Sequence, residues 1–352
     1  MKSLPVCALA MLMLISGACA SEKISQMVDG DVISSLATGG LTFVNPDGVT
    51  IASENLFISA EAVRIVYHLR NNSKVDQTSL VAFSLPDLTS PSGPEGMIAI
   101  PDADPLNLFG FAISFDGKPV ATTPHQYALS AVGVDQTEIL KKLAVPLMPP
   151  IHGSGFFGNA DAANALPLPD KQNLVRLGML SRNADDAAGT YAPIWTLRSI
   201  YDWQADLKAG QDAEIVLTYK PSVGFFGATT FFGDEYGTTA DYRKRYCIDE
   251  NLIKAVTKAW NPKDPTRAPF WETNLTYAWS TGETRNGLID KFHLTVDKGD
   301  PKNLVAFCWD ARAPGHSKIT RTSPTIFEMD ATSFFAPGDG DLQILILQPP
   351  SS

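Results

Sequence analysis

The stretch "IHGSG", residues 151–155, brings a histidine and a serine together in a glycine-rich loop. A histidine can act as general base for a serine nucleophile, and backbone amides of such a loop can hold an oxyanion. The nucleophile elbow of many such enzymes, G-x-S-x-G, is absent from the sequence. Hydrolysis of cell-envelope material through His152 and Ser154 is therefore an alternative function and not the leading one.

The other histidines do not form a metal-binding motif. No two of them stand at the spacing of H-E-x-x-H. The D-G-D triplets at 29–31 and 339–341 lack the distal glutamate of a calcium-binding loop. No P-loop and no G-x-G-x-x-G occurs, so the sequence predicts neither a metal nor a cofactor. The histidines are His68, His125, His152, His293 and His316.

Four of the six tryptophans lie in the last hundred residues, at positions 260, 271, 279 and 309. Trp279 shares a strand face with Leu275 and Tyr277, which favours a place in the core. Trp271 follows "RAPF" at the start of that strand and is freer to be exposed. Since exposed aromatic rings stack on ligands, Trp271 is the candidate ligand-binding aromatic residue.

The first twenty residues, "MKSLPVCALAMLMLISGACA", run from one lysine through an apolar stretch to small residues. Ala18 and Ala20 form an A-x-A cleavage site, which predicts a signal peptide over residues 1–20. The apolar run is too short to span a bilayer, and no later segment predicts a transmembrane helix. A lipid anchor at Cys19 is a weaker alternative, because a lipobox usually requires a large aliphatic residue where Ser16 stands. We therefore expect a periplasmic or extracellular protein.

The net charge of the chain limits which classes of partner it can attract. The 28 Lys and Arg residues face 38 Asp and Glu residues, for a net charge of −10. Loss of residues 1–20 would remove Lys2 alone, leaving 27 against 38 and a net charge of −11. A chain this acidic has no overall attraction to nucleic acid or anionic lipid, so we expect an unknown protein or envelope ligand as partner.

Two cysteines, Cys247 and Cys308, would remain after removal of the signal peptide. An even pair in an exported chain predicts a disulfide, because export leads to an oxidising compartment. Two buried free thiols are the alternative. Alkylation of the purified protein without reductant would label both thiols if they were free.

Alternating apolar and polar residues indicate strands along most of the chain. In "VRIVYHLRNNSKVDQTSLVAFSLP", residues 63–86, two alternating runs flank the turn-forming "NNSK", which predicts a β-hairpin. The same pattern of alternation and turn residues predicts a hairpin at 191–220, around "LKAGQD", and more short strands after residue 271. The expected fold is mainly β, with two antiparallel β-sandwich-like lobes.

Helices are expected in two places. Residues 121–190 predict a partly helical, partly irregular insertion, with Asp135 as a helix N-cap. Residues 249–260 predict one further amphipathic helix, with acids at its start and lysines toward its end. We place the domain boundary near residue 235, between an N-terminal β-sandwich domain (21–235) and a C-terminal β-rich domain (236–352).

Several longer motifs resemble an uncharacterised bacterial exported family known only as a domain of unknown function, family four-four-two-four. They include "SENLFISAEAVRIVYHLRNNS", "YAPIWTLRSIYDWQADLKAG", "RYCIDENL" and "LVAFCWD", and together they span nearly the whole mature chain. The resemblance implies a secreted or periplasmic bacterial protein and brings no catalytic residues. The function expected from the sequence is a non-enzymatic binding or envelope-interaction module.

Overall fold

The computed structural model of the chain describes residues 33–34, 36–39, 41–44, 48–89, 97–102, 104–151, 159–183, 189–227, 229, 238–260, 268–279, 289–335 and 341–350. Within these residues strands far outnumber helices, which confirms the predicted mainly β fold. The predicted signal peptide, including Cys19, lies outside the described part of the chain.

The described strands, in chain order, are β1 (Ile33–Ser34), β2 (Ala37–Thr38), β3 (Leu41–Val44), β4 (Val49–Ile58), β5 (Val63–Asn71), β6 (Gln77–Ser84), β7 (Leu88–Thr89), β8 (Met97–Ile98), β9 (Ala112–Phe115), β10 (Lys118–Pro119), β11 (Thr123–Leu129), β12 (Leu180–Arg182), β13 (Tyr191–Pro193), β14 (Thr196–Leu207), β15 (Asp212–Tyr219), β16 (Val223–Phe226), β17 (Trp271–Tyr277), β18 (Ile289–Asp297), β19 (Leu304–Phe307), β20 (Thr320–Arg321), β21 (Ile326–Phe334) and β22 (Leu342–Gln348). The described helices are α1 (Thr137–Lys142), α2 (Asn159–Asn164), α3 (Leu168–Arg176), α4 (Thr238–Tyr246) and α5 (Glu250–Ala259).

The strands form three main sheets. Sheet I has the order β10-β9-β15-β5-β4-β18-β21-β20. Sheet II has the order β19-β22-β17-β16-β1-β8, with β2 also paired to β17. Sheet III has the order β11-β14-β6-β3, with β7 also paired to β14, and β12 and β13 form a separate pair.

The segments 63–86 and 191–220, predicted as hairpins, each join a strand of sheet I to a strand of sheet III, and we call them the links between these sheets. β5 pairs with β4 and β15 in sheet I, whereas β6 pairs with β14 and β3 in sheet III. Likewise β14 lies in sheet III and β15 in sheet I. Both hairpin predictions are wrong, because alternation shows which side chains are buried but does not show which strand is the hydrogen-bonded neighbour.

Sheets I and III pack face to face around the side chains that the alternation had placed inward. Across this interface the ring of Phe83 on β6 lies 4.8 Å from that of Phe111 and 5.7 Å from that of Tyr219 on β15. The inward-facing residues of β5, which are at most 2% exposed, are Val63, Ile65, Tyr67 and Leu69. The sandwich is thus held mainly by apolar burial.

One buried amide joins the two links between sheets I and III. Asn71, at the end of β5, is fully buried and donates through Nδ2 to the carbonyl oxygens of Leu207 (2.9 Å) and Val75 (3.0 Å). Its Oδ1 accepts from the backbone N–H and the hydroxyl of Ser73. Asn71 therefore fixes its own turn and also holds the end of β14 beside it.

Strands from both sides of the predicted boundary at residue 235 share sheet I. β18 lies parallel to β4 and antiparallel to β21. One apolar cluster includes Tyr67 and Leu217 together with Phe292 and Ile346. The sheets are therefore mixed, with parallel as well as antiparallel pairs, and the two-domain division stays a prediction about folding units.

The segment between β11 and β14 carries α1, α2 and α3 and has a small core of its own. Leu140, Leu174 and Trp195 are wholly buried there, and the Trp195 indole donates to the carbonyl of Leu147 at 2.7 Å. The N-cap of α1 is Gln136. The carboxylate of Asp135, the predicted cap, accepts instead from Thr137, since it lies one residue too early.

The C-terminal amphipathic helix is α5, and its predicted start is correct. The Asp249 carboxylate accepts from the backbone N–H of Leu252 at 2.8 Å, the bond of a helix N-cap. α4 ends at Tyr246, and Cys247 follows it with a φ of +53°, in the left-handed region. Cys247 is bonded to Cys308, which confirms the predicted disulfide and ties these helices to sheet II.

Because of Tyr201, we expect the free energy of unfolding to fall at alkaline pH. Its hydroxyl donates to the carbonyl of Leu106 at 2.7 Å, and burial, assisted by the Asp104 carboxylate, raises the pKa of Tyr201 to about 12. Between pH 10 and 12 the unfolded tyrosine loses its proton while the folded one keeps it, so stability falls as the pH rises. We expect Tyr201→Phe to show a shallower decline in unfolding free energy by urea denaturation over this range. Parallel pH curves would contradict this assignment.

Candidate functional site

One concave site among the described residues lies where sheets I and II meet, and we call it the junction cleft. It encloses about 210 Å³ between the β4–β5 turn, the segment after β8 and the link from β15 to β16. Its lining residues are Ala60, Glu61, Ala99, Ile100, Pro101, Lys220, Pro221 and Val223.

Ser59 shapes the first wall of the junction cleft. Its hydroxyl oxygen accepts from the backbone N–H groups of Glu61 (3.2 Å) and Ala62 (3.0 Å), while its own N–H donates to the Ala62 carbonyl. A serine that bonds its own turn in this way replaces the missing ladder bonds. The tight turn places Ala60 and Glu61 at the rim.

Ser222 holds the other two walls together. It is 1% exposed, accepts from the backbone N–H of Leu36 at 2.8 Å and donates to the carbonyl of Ala99 at 2.7 Å. These bonds fix the segment after β8 against the link between β15 and β16. Each of these walls also carries a proline, Pro101 or Pro221, whose ring limits backbone motion. The cleft is therefore preformed.

The junction cleft is lined by one acid, Glu61, and one base, Lys220. The Lys220 ammonium lies 3.7 Å from the Asp102 carboxylate, at the edge of ion-pair distance. Glu61 is exposed, and its carboxylate has no hydrogen-bond or ion-pair partner among the described residues. The Lys220 ammonium is thus directed to Asp102, which leaves the Glu61 carboxylate available to a cationic ligand group.

The size of the cleft limits its occupant. Pockets for small molecules usually enclose about 300–1,000 Å³, so a cleft of about 210 Å³ suits one side chain or a fragment. The apolar walls would contact a short hydrocarbon body, and Glu61 would accept from an amine. Since the walls are already rigid, little ordering opposes binding.

The residues singled out from the sequence do not gather at this cleft. His152 and Ser154 lie outside the described residues, so the hydrolase alternative stays a prediction. Trp271 is half-buried as the first residue of β17 and contacts the ring of Phe225 edge-on, with centroids 6.0 Å apart. It is not a lining residue of the cleft.

A row of acid, imidazole and hydroxyl groups on the outer face of sheet I was missed from the sequence. Asp330 Oδ1 lies 2.8 Å from His293 Nδ1, and His293 Nε2 lies 3.2 Å from Thr295 Oγ1. Such a row could activate a nucleophile. However, β18 lies inside sheet I, so its amides serve the ladders, and Glu328 sits opposite Thr295. The Glu328 carboxylate opposite Thr295 would repel a developing oxyanion, so we assign the row to sheet pairing rather than to catalysis.

Other histidines also pair with acids across strands. His125 Nε2 lies 3.2 Å from Asp202, and His68 Nε2 lies 4.0 Å from Glu214. In the part of the chain that the structure describes, no three His, Cys, Asp or Glu side chains converge as metal ligands. No described helix is long and apolar enough to cross a bilayer.

Comparison with known proteins identifies the family and little more. The model of the family described as "Domain of unknown function (DUF4424)" matches residues 30–345, in agreement with the family expected from the motifs. No curated protein matches the chain. A solved Legionella pneumophila structure described as a "putative nutrient binding protein" is similar, at 12% identity and a TM-score of 0.45. The match covers 90% of this chain and 72% of that chain.

Proposed function

This chain belongs to the DUF4424 family, and we propose that it is an exported, non-enzymatic binding module. Its ligand is a short apolar group that carries an amine, such as the N-terminus or a basic side chain of a peptide. The junction cleft binds this group, with Glu61 accepting from the amine.

One observation carries the proposal: the carboxylate of Glu61 stands without a partner at the rim of a rigid apolar cleft. Exposed carboxylates usually contact water or form an ion pair with a neighbouring base. Here Lys220 is directed to Asp102, at 3.7 Å, rather than to Glu61. The lining residues include no serine, cysteine or histidine, so they form no Ser–His or Cys–His pair.

The location of the protein is part of the proposal. The lysine, apolar run and A-x-A site of residues 1–20 support export. The Cys247–Cys308 disulfide supports an oxidising compartment such as the periplasm or the medium. A binding module in that position would meet peptides and other amine-bearing material of the cell envelope.

Calorimetric titration with leucinamide tests the proposed ligand class. Leucinamide has an amine and a short branched body, and a ligand of this size is expected to bind with a Kd of about 1 mM. N-acetylleucine, which lacks the amine, is expected to bind much more weakly. Glu61→Gln should weaken leucinamide binding by about fivefold or more, because a charge-assisted bond is lost.

Glu138→Gln is the matched control, since Glu138 is an 87% exposed acid on α1 that is not a lining residue. It should leave leucinamide binding unchanged. Lys220→Met should leave it unchanged or strengthen it, because Lys220 repels the amine. Equal affinity for leucinamide and N-acetylleucine, or an intact affinity in Glu61→Gln, would refute the proposed role of Glu61.

A further inference from the structure

Two opposite charges face the junction cleft from neighbouring strand ends. Lys220 directly follows Tyr219 of β15, which pairs with Val63 of β5, and Glu61 lies two residues before Val63. The two residues therefore stand on adjacent walls at one end of sheet I, where neighbouring strands are about 4.8 Å apart. Both line the cleft and both are exposed, so a ligand in the cleft meets both charges.

Neither charge is hydrogen-bonded within the described part of the chain. The Glu61 carboxylate has no hydrogen-bond or ion-pair partner there. The Lys220 ammonium lies 3.7 Å from the Asp102 carboxylate, which is longer than an N–H···O hydrogen bond of about 2.9 Å. Glu61 and Lys220 also form no ion pair with each other, although they line one small cleft. An acid and a base thus stand apart, and each is available to a ligand group.

Asp102 orders these charges without filling the space between them. Its backbone N–H donates to the carbonyl of Leu108 at 3.0 Å, and its Oδ1 accepts from the backbone N–H of Asp104 at 3.2 Å. The Asp102 carboxylate is therefore held in place beside the Lys220 ammonium. A ligand carboxylate on the cleft side of this ammonium, next to a ligand amine at Glu61, would give an unbroken alternation of negative and positive groups.

The wall formed by the segment after β8 is apolar. It contributes Ala99, Ile100 and Pro101 to the cleft. Ile100, and Val223 on the wall beside it, are partly buried and pack against the largest apolar cluster. They present a fixed hydrocarbon surface, which an apolar side chain of a ligand would remove from water. The junction cleft thus offers an acid, a base and a hydrocarbon surface.

We propose that the junction cleft binds a free α-amino acid with a short aliphatic side chain, an inference that rests on the proposed function and adds a carboxylate to its ligand. The amine contacts Glu61, the carboxylate contacts Lys220, and the side chain lies against Ile100 and Pro101. The amine and carboxylate of an α-amino acid share one carbon, which suits charges on adjacent strand ends. A ligand with an amine alone would leave the Lys220 ammonium unpaired, and one with a carboxylate alone would leave Glu61 unpaired.

Calorimetric titration of the oxidised mature chain at low salt with leucine, leucinamide and leucylglycine tests this inference. Leucine should bind about fivefold more tightly than leucinamide, because its carboxylate gains the ammonium of Lys220. Leucylglycine, whose carboxylate lies farther from the amine, should bind no more tightly than leucinamide. In Lys220→Met, leucine should lose its advantage over leucinamide.

Lys142→Met is the matched control, since Lys142 is an exposed lysine on α1 and is not a lining residue. It should keep the preference for leucine, and unchanged thermal unfolding will show that both variants fold. A wild type that binds leucine no more tightly than leucinamide would overturn the inference, as would a preference that survives in Lys220→Met. Leucylglycine binding as tightly as leucine would also overturn it, since the ligand would then be a peptide.

The inference and the proposed function can fail separately. The proposed function is tested by the dependence of leucinamide binding on Glu61, and the inference by the dependence of the leucine preference on Lys220. Leucinamide binding that is lost in Glu61→Gln, without any preference for leucine, would overturn the inference alone. No binding of any of the three ligands would overturn both.

Discussion

Replacing Cys247 and Cys308 together by serine is expected to lower the free energy of unfolding by about 4 kcal/mol. The disulfide closes a loop with a sequence separation of 61, and a cross-link of that span restricts the unfolded chain by about this amount in the loop-entropy account. Serine at position 247 keeps the left-handed backbone and removes only the link. Urea denaturation of the oxidised wild type and the double variant measures the difference.

The wild-type protein itself supplies the control for this prediction. Reduction of the disulfide should destabilise the wild type to the level of the double variant, and the same reductant should leave the double variant unchanged. If the oxidised and reduced wild types had the same unfolding free energy, the bond would have no stabilising role.

Asn71→Ala is expected to cost about 3 kcal/mol. The change removes a fully buried amide and leaves the carbonyl of Leu207, inside the sandwich, without its donor. The carbonyl of Val75 and the N–H of Ser73, which are only partly buried, also lose a partner. A group left unsatisfied in the interior costs about 1–3 kcal/mol. Since these groups lie on different links between sheets I and III, the loss affects the whole sandwich.

Asn72→Ala is the matched control for Asn71→Ala. Asn72 is the next residue, and its exposed amide donates to the hydroxyl of Thr50 at 3.0 Å. Water can replace that bond, so the cost should stay below about 1 kcal/mol. Equal destabilisation by the two substitutions in urea would contradict the role of Asn71 as the buried connection between the links.

The faces of the strands could be read from the sequence because side chains alternate strictly along a strand. Tyr67 and Leu69 on β5, and Leu217 and Tyr219 on β15, were expected inward and are buried. The start of α5 at Asp249 was also readable, since a helix N-cap is a local feature. The cysteine pairing followed from the expected compartment and the even count.

Which strands pair with each other could not be predicted from the alternation of side chains. β5 and β6 look like a hairpin because apolar and polar residues alternate on both sides of a turn. Whether two such strands pair in one sheet or lie in two facing sheets depends on strands far away in the chain. The parallel contact of β4 with β18 joins residues more than 200 positions apart. Glu54, fully buried on β4 opposite Phe292 of β18, is a consequence of that contact and breaks the usual rule for carboxylates.

The junction cleft could not be predicted from the sequence, because it too depends on strand pairing. Glu61 and Lys220 stand in unremarkable turns of the sequence, and only the pairing of β5 with β15 brings these turns to one end of sheet I. Ser59 and Ser222 also gave no signal, since a serine in a turn is common.

Nuclear magnetic resonance of the nitrogen-labelled mature chain, titrated with leucinamide, tests the central claim of an amine-binding cleft most directly. The account predicts saturable shifts of the backbone amides of Ala60, Glu61, Lys220 and Val223, and the loss of these shifts in Glu61→Gln. Shifts confined to other parts of the protein, or an unchanged pattern in Glu61→Gln, would contradict it.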